Sequence, residues 1–215
     1  MRRNDTARWL LAPVAAMLLA LAACGGGDDE NAILPTMASF TVTTPLIDPV
    51  VYLQKNAGDT TDTDNVVVVD VMLRHGAGVT FSAFTLEMSF TPGVVQVGQI
   101  DASTTPLGEC GGSGPCPLIC HDNLSPSDVD PANSTGTLLI GVGAQGCGTA
   151  ATVTGTERLL TISFIGASVG ESLLDLVDDP APVITALGDC EILDAAGDRL
   201  PIPCVDGGAK ITVAR

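Results

Sequence analysis

Residues 84–90 read Phe-Thr-Leu-Glu-Met-Ser-Phe, and every second residue of this stretch is apolar. A period of two places alternate side chains on opposite faces of an extended strand. The stretch therefore predicts a β-strand with one face buried in a core and the other facing water. The same alternation recurs around Ile140, Ile162 and Ile211, whereas the 3.6-residue period of a helix is nearly absent.

The rest of the pattern predicts an all-β protein. A valine-rich run at 66–73, broken only by Asp70, is typical of a central strand. Clusters of Gly, Pro, Asn and Asp separate about nine or ten short strands, a pattern that favours a two-sheet β-sandwich in a single domain. The shorter strand candidates lie at 39–43, 50–54, 94–100, 172–177 and 183–193.

One internal segment does not follow the strand pattern. Residues 101–136 are rich in Gly, Pro, Ser and Cys and show no period. We expect a long Cys-containing loop there, because structureless loops of this length are uncommon and are usually functional, stapled or disordered.

The first 23 residues have the organisation of a signal peptide. Arg2, Arg3 and Arg8 form a positive n-region, and the apolar stretch 9–23 is shorter than the roughly 20 residues that span a bilayer. The ending, Leu-Ala-Ala-Cys at 21–24, resembles the lipobox of bacterial lipoproteins. In that family the Cys sulfur is acylated and becomes the first residue after cleavage, a role that falls on Cys24. The alternative is an ordinary secretory signal with a chance Cys.

Residues 24–38 are predicted to be a flexible tether, because they begin Cys-Gly-Gly-Gly-Asp-Asp-Glu. Some lipoprotein systems use Asp after the Cys to retain proteins in the inner membrane, and here that position is Gly25. The resemblance thus implies an outer-membrane lipoprotein that faces the periplasm or the cell surface. Its acyl chains would be the protein's contact with the membrane.

The charge of the chain excludes some partners. It carries 9 Lys+Arg and 25 Asp+Glu, and loss of residues 1–23 would leave 6 basic and 24 acidic residues. Nucleic-acid binding depends on a basic surface, so we expect no nucleic-acid partner. An anionic membrane surface would also repel the domain.

Six cysteines follow Cys24, and an even number in an exported protein predicts three disulfides. Cys190 and Cys204 flank a turn-like cluster at 194–198, and each of them lies seven residues from Gly197 in that cluster. A hairpin centred there would bring the two together, so we predict that they pair.

The pairing of the other four cysteines stays open at this point. They are Cys110, Cys116, Cys120 and Cys147. A zinc site that combines the first three with His121 is an alternative, but only the last two of those three have the spacing usual for zinc.

The succession of segments over roughly 39–214 resembles the cohesin family, although Phe-Thr-Pro at 90–92 replaces a Tyr-Asp-Pro turn. The resemblance implies a nine-stranded jelly-roll β-sandwich that binds dockerin modules, in a superfamily that includes some carbohydrate-binding modules. The matching segments are Gly-Asp-Thr at 58–60, the valine-rich strand, the strands and turn of 83–97, Leu-Leu-Thr-Ile-Ser-Phe at 159–164, Gly-Glu-Ser-Leu-Leu-Asp-Leu at 170–176 and the closing strand at 206–213.

We therefore expect a non-catalytic binding module whose partner is a dockerin-like or other envelope protein. The alternative is a polysaccharide-binding module, with or without calcium. Sugar platforms use exposed aromatic faces, and the processed chain has no Trp and a single Tyr. Asp59, Asp62 and Asp64 are the calcium candidates, although their spacing does not match an EF-hand loop. No other cofactor is predicted.

An enzyme is not expected, because no nucleophile elbow, zinc-protease motif or phosphate-binding loop appears. The histidines are His75, in a predicted Arg-His-Gly turn, and His121, in the long loop. Each is more often a surface residue than a base. A glycosidase pair among the many carboxylates is the remaining enzymatic alternative.

Overall fold

A computed structural model describes residues 37–58, 64–107, 126–143, 150–178 and 190–215. These residues form twelve strands and one helix, α1 (Pro126–Thr135). The strands are β1 (Met37–Thr41), β2 (Val50–Lys55), β3 (Val66–Phe81), β4 (Ala83–Ser89), β5 (Val95–Asp101), β6 (Thr137–Gly143), β7 (Ala151–Gly166), β8 (Gly170–Leu173), β9 (Asp175–Leu176), β10 (Glu191–Leu193), β11 (Cys204–Val205) and β12 (Lys210–Ala214).

The strands form three hydrogen-bonded sheets. A five-stranded sheet has the order β11-β2-β3-β7-β5, with β3 at its centre. A four-stranded sheet has the order β10-β4-β6, and β9 also pairs with β4. A three-stranded sheet has the order β1-β12-β8. Apart from β11 and β2, which run parallel, the paired strands are antiparallel.

Alternate residues of the strands build one core between the layers. Phe84, Leu86 and Met88 of β4 are buried, as the alternating pattern predicts, and they belong to the same cluster as the inward side of β3. The rings of Phe90 and Phe164 meet edge to face with centroids 5.9 Å apart, which joins the four-stranded side to the five-stranded sheet. The predicted all-β, jelly-roll β-sandwich is therefore confirmed, but the described residues form twelve strands, several of them only two to four residues long, where about nine were predicted.

The central strand is longer than the sequence predicts. The predicted turn at 74–76 is wrong, because β3 continues to Phe81 and pairs with β7 along its length. A shift of register between His75 and Val79 accommodates Gly-Ala-Gly at 76–78, and Gly78 adopts a φ of 86° there. Glycines mark a bulge inside a strand as readily as they mark a turn, which is why the sequence misled.

The predicted long loop at 101–136 is wrong at both of its ends. Asp101 is the last residue of β5, and residues 126–135 form α1. The helix starts with Pro126, a residue well suited to a first helical turn. The Asn133 side-chain amide binds the main chain of Val97 twice: its Oδ1 accepts from the Val97 N–H (2.6 Å) and its Nδ2 donates to the Val97 carbonyl (3.0 Å). The helix thus covers the outer edge of the five-stranded sheet, which would otherwise expose unpaired main-chain groups.

The two sides of the sandwich are closed differently. On one side α1 contacts both β5 and β6, the last strands of their sheets. On the other side a hairpin connects β10, in the four-stranded sheet, to β11, in the five-stranded sheet. No helix in the described part of the chain is long and apolar enough to cross a membrane.

Candidate interaction surface

The outer face of the four-stranded sheet is the candidate interaction surface. Because the alternate residues of β4 and β6 are buried in the core, the residues between them point outward. We call this the sheet-face surface and define it by Thr85, Glu87, Ser89, Leu139, Gly141 and Glu191. Leu139 is 56% exposed although it lies inside a regular strand.

The sheet-face surface combines an exposed apolar side chain with carboxylates. Glu87 lies directly opposite Leu139 on the neighbouring strand, and Thr85 lies between Glu191 and Gly141. A side chain added at Gly141 would meet nothing within 4 Å, so the main chain there is open to a partner. An apolar residue on a rigid, paired strand beside carboxylates suits a partner with an apolar group and cationic neighbours.

Ion pairs and a carboxyl pair border this surface. The Arg199 guanidinium contacts the carboxylates of Glu191 (3.4 Å) and Asp178, which ties the hairpin that follows β10 to the sheet. Asp175 of β9 shares a side-chain hydrogen bond with Asp206, and this bond, helped by partial burial and by the charge of Asp206, raises the pKa of Asp175. Arg199 thus lies beside Glu191 at the β10 edge of the surface, and Asp175 lies opposite Ser89 on β9.

The described aromatic side chains are all buried. They are Phe40, Tyr52, Phe81, Phe84, Phe90 and Phe164. Trp9 lies outside the described residues. A sugar platform needs an aromatic ring open to solvent, so the described surface offers no stacking site for a polysaccharide.

The calcium candidates are only partly described. Asp59 and Asp62 lie outside the described residues. Asp64 has an exposed side chain, and its carbonyl accepts a hydrogen bond from the Ala38 N–H (3.0 Å). Over the ranges that the structure describes, no group of three or more His, Cys, Asp or Glu side chains is placed to hold a metal ion.

The predicted disulfide between Cys190 and Cys204 is present, with Cα atoms 6.1 Å apart. The turn between them is held by Asp194, which accepts from the main chain of Ala196 and Asp198, and by Gly197 at a φ of 85°. The other predicted sulfur sites lie outside the described residues. They are Cys24, Cys110, Cys116, Cys120 and Cys147.

The described histidine, His75, lies within a long strand and not in the predicted turn. His75 lies in β3 opposite Gly155, and its Nδ1 is buried without a hydrogen-bond partner there. His121 lies outside the described residues.

Asp70 interrupts the valine-rich run at 66–73, and it has a structural role that the sequence pattern did not predict. In the structure this carboxylate is 5% exposed, and its Oδ1 accepts hydrogen bonds from Asn56 Nδ2 (2.8 Å) and Thr161 Oγ1 (2.7 Å). The Arg158 guanidinium lies 3.7 Å from the same oxygen. A lone carboxylate in an otherwise apolar run was the available signal, because a buried charge requires partners.

No protein-family profile and no curated protein matches this chain. Several solved cohesin structures are similar to it at low identity. A complex of CaDoc0917 with CaCohA2, a cohesin from Clostridium acetobutylicum, matches at 16% identity and a TM-score of 0.47, over 76% of this chain and 98% of that chain. The second type II cohesin module of the adaptor ScaA scaffoldin of Acetivibrio cellulolyticus matches at 12% and 0.47, over 77% and 91%. A non-cellulosomal cohesin from the archaeon Archaeoglobus fulgidus matches at 10% and 0.39, over 72% and 84%.

Proposed function

We propose that the protein is a lipid-anchored binding module of the bacterial cell envelope that engages a protein partner through the sheet-face surface. The observation that carries this proposal is the outer face of β4 and β6 as a whole, where the exposed Leu139 lies opposite Glu87 and two residues from the open main chain of Gly141. Burial of a Leu side chain against a partner contributes about 1.5–3 kcal/mol, and the flanking strands hold it in place beforehand.

The surroundings of Leu139 support a protein partner over a sugar. Glu87 gives the face a negative charge, whereas the Glu191 carboxylate is paired with Arg199, and this charge speeds encounter with a cationic surface. The aromatic rings of the described residues are in the core, so stacking on a pyranose has no support there. The order of segments that resembles cohesins favours a dockerin-like module or another envelope protein as the partner.

The anchoring part of the proposal depends on Cys24 and its lipobox-like context. Acyl chains on this residue would hold the domain at a membrane, because each buried CH₂ contributes about 0.8 kcal/mol. Gly25 favours the outer membrane as the destination, with the domain in the periplasm or at the surface. The charge of the domain keeps it off an anionic bilayer, so the lipid would be its attachment.

The binding test uses the processed protein without acyl chains as bait in an envelope extract, with and without chelator, beside a polysaccharide array. The matched variants are Leu139→Asp and Leu173→Asp, since Leu173 is 64% exposed on the three-stranded sheet. We expect the wild type and Leu173→Asp to retain one discrete protein that Leu139→Asp loses. Equal retention by all three would refute this surface. Chelator-sensitive glycan binding would favour the polysaccharide alternative.

The anchor is tested separately by Cys24→Ala in the full-length chain. We expect the variant to leave the membrane fraction or to remain unprocessed, whereas a conservative change in the tether, Asp28→Asn, should do neither. Unchanged membrane fractionation of Cys24→Ala would rule out the lipid anchor without affecting the binding test.

A further inference from the structure

The loop that joins β1 to β2 exposes its two aliphatic side chains. Within Thr-Pro-Leu-Ile-Asp-Pro at 44–49, which we call the 44–49 loop, Leu46 is 97% exposed and Ile47 is 49% exposed. A single exposed Leu is ordinary on a protein surface. Two adjacent exposed aliphatic residues at the tip of a loop can serve as a binding site when the loop holds them in one conformation.

The 44–49 loop is held from both sides of Leu46. One Arg74 guanidinium nitrogen donates to the carbonyls of Pro45 and Ile47, the two residues that flank Leu46. The same guanidinium lies over the buried Tyr52 ring, 5.4 Å from its centroid, which fixes the arginine. The charged side chain of Arg74 therefore fixes the shape of a loop whose Leu46 side chain is almost fully exposed.

A second brace lies at the end of the loop. The Asp48 carboxylate accepts hydrogen bonds from the Gly76 N–H at 3.1 and 3.0 Å, one to each oxygen. At the start, the Thr43 N–H donates to the Gly207 carbonyl (3.0 Å). The loop is therefore preorganised, so a partner that buries Leu46 need not also order the chain around it.

The 44–49 loop lies beside the middle of β3. Arg74 holds Pro45 and Ile47, and Gly76 holds Asp48, whereas β3 continues to Phe81. The charge of the chain limits what could cover Leu46. With 9 Lys+Arg against 25 Asp+Glu, an anionic bilayer would repel the domain, whereas an apolar pocket of a protein need not.

We propose that the 44–49 loop is a second docking element, in which Leu46, supported by Ile47, inserts into an apolar pocket of a protein partner. The protein is favoured over the bilayer as the occupant by the acidic charge of the domain. The brace and the exposure of the loop do not depend on the proposed lipid anchor. Burial of the Leu46 side chain in such a pocket would remove its apolar surface from water, which favours binding.

The experiment places the photo-crosslinker p-benzoylphenylalanine at position 46, 139 or 173 of the full-length lipoprotein in its own envelope. We expect a discrete adduct at position 46 and none at position 173, which is also exposed. The crosslinked protein is then identified and purified, and its Kd is measured against wild type, Leu46→Ser and Leu173→Ser. Leu46→Ser should weaken binding at least about tenfold, or about 1.4 kcal/mol, and Leu173→Ser should not.

The outcomes separate this proposal from the sheet-face surface. An adduct at 139 without one at 46, or an unchanged Kd for Leu46→Ser, overturns the docking loop and leaves the sheet-face surface standing. An adduct at 46 without one at 139 supports the loop alone. In a last arm, Cys24→Ala protein is floated with phosphatidylethanolamine–phosphatidylglycerol vesicles. Flotation that Leu46→Ser abolishes would make the bilayer the occupant and overturn the protein pocket.

Discussion

Asp70 lies on the central strand of the five-stranded sheet and is almost out of contact with water. Burial of a carboxylate is unfavourable unless hydrogen bonds or ion pairs replace its hydration. The Asp70 carboxylate replaces the lost hydration with the Asn56 amide and the Thr161 hydroxyl, both at hydrogen-bond distance. Arg158 adds a longer ionic contact from a partly exposed position, where solvent screens it. The network fixes β2, β3 and β7 relative to one another on the side of the sheet that faces away from the core.

Asp70→Ala is expected to lower the free energy of unfolding by about 2 kcal/mol, because it leaves buried polar groups on two neighbouring segments without their acceptor. Urea denaturation measures the change. Asp70→Asn keeps an oxygen acceptor in the same place and should lose clearly less. If both variants were as stable as the wild type, the network would contribute nothing to stability.

Asp175 gives a pH dependence of defined sign. Its hydrogen bond to Asp206 raises its pKa in the folded protein, so the folded state holds the proton more tightly than the unfolded state. The stability from this proton is complete below the ordinary aspartate pKa of about 4 and is lost as the pH rises through the folded value. Asp175→Asn, which cannot ionise, should gain stability over the wild type as the pH rises from 4 to 7.

Asp101 serves as the control of opposite sign. Side-chain and main-chain hydrogen bonds from Ser103 lower the pKa of this carboxyl in the folded protein. Its stability is present above the ordinary value and is lost as the pH falls through the folded one. Asp101→Asn should therefore be less stable than the wild type at pH 7 and approach it in acid. A difference that stays constant with pH in either variant would contradict the assignment.

At the scale of the elements, the Asn133 side chain holds α1 to the sheet by hydrogen bonding to the main chain of β5, as a neighbouring strand would. Asn133 supplies one donor and one acceptor to Val97, on the edge of β5 away from β7. Asn133→Ala should lower stability by about 1–2 kcal/mol, because two hydrogen bonds are lost. Hydrogen exchange at the Val97 amide should accelerate, whereas Asn133→Asp, which keeps the acceptor, should preserve most of the protection. Unchanged exchange in Asn133→Ala would show that α1 does not protect this edge.

The helix α1 could not be predicted from the sequence, whereas several strands could. The strands β4, β6 and β12 follow from period-two alternation, because one buried face is sufficient to set the pattern. The helix Pro-Ser-Asp-Val-Asp-Pro-Ala-Asn-Ser-Thr has no apolar stripe, and its contacts include one small buried residue, Ala132, and the Asn133 amide. Tertiary contacts stabilise this helix, so no local periodicity in the sequence predicts it.

The candidate surfaces were still harder to predict, because they depend on which strands become neighbours. The alternation around Ile140 places Leu139 on the outer face, but only the register of β6 on β4 shows that it lies opposite Glu87. The Arg74 brace joins residues 27 and 29 positions apart, and Arg74 lies where the sequence predicted a turn in place of a strand. By contrast, Cys190 and Cys204 could be paired from their spacing because a local hairpin brings them together.

For the whole molecule, the Cys190–Cys204 bridge has a larger role than closing a hairpin. It joins the segment that enters β10, in the four-stranded sheet, to β11, in the five-stranded sheet, on the side of the sandwich opposite α1. Cross-linking a loop of this size restricts the unfolded chain, which is worth roughly 3 kcal/mol in the chain-entropy estimate. The bridge therefore stabilises the closure of the sandwich as well as the turn itself.

The double variant Cys190→Ser with Cys204→Ser should lose roughly 3 kcal/mol of unfolding free energy in denaturant. Arg199→Ala is the matched control, because it breaks the partly exposed ion pairs of the same hairpin, worth about 0.2–1 kcal/mol, and leaves the covalent bridge intact. If the covalent link closes the sandwich, the double variant must lose much more than Arg199→Ala. Equal losses would mean that the polar contacts of the hairpin, rather than the bridge, hold the two sheets together on this side.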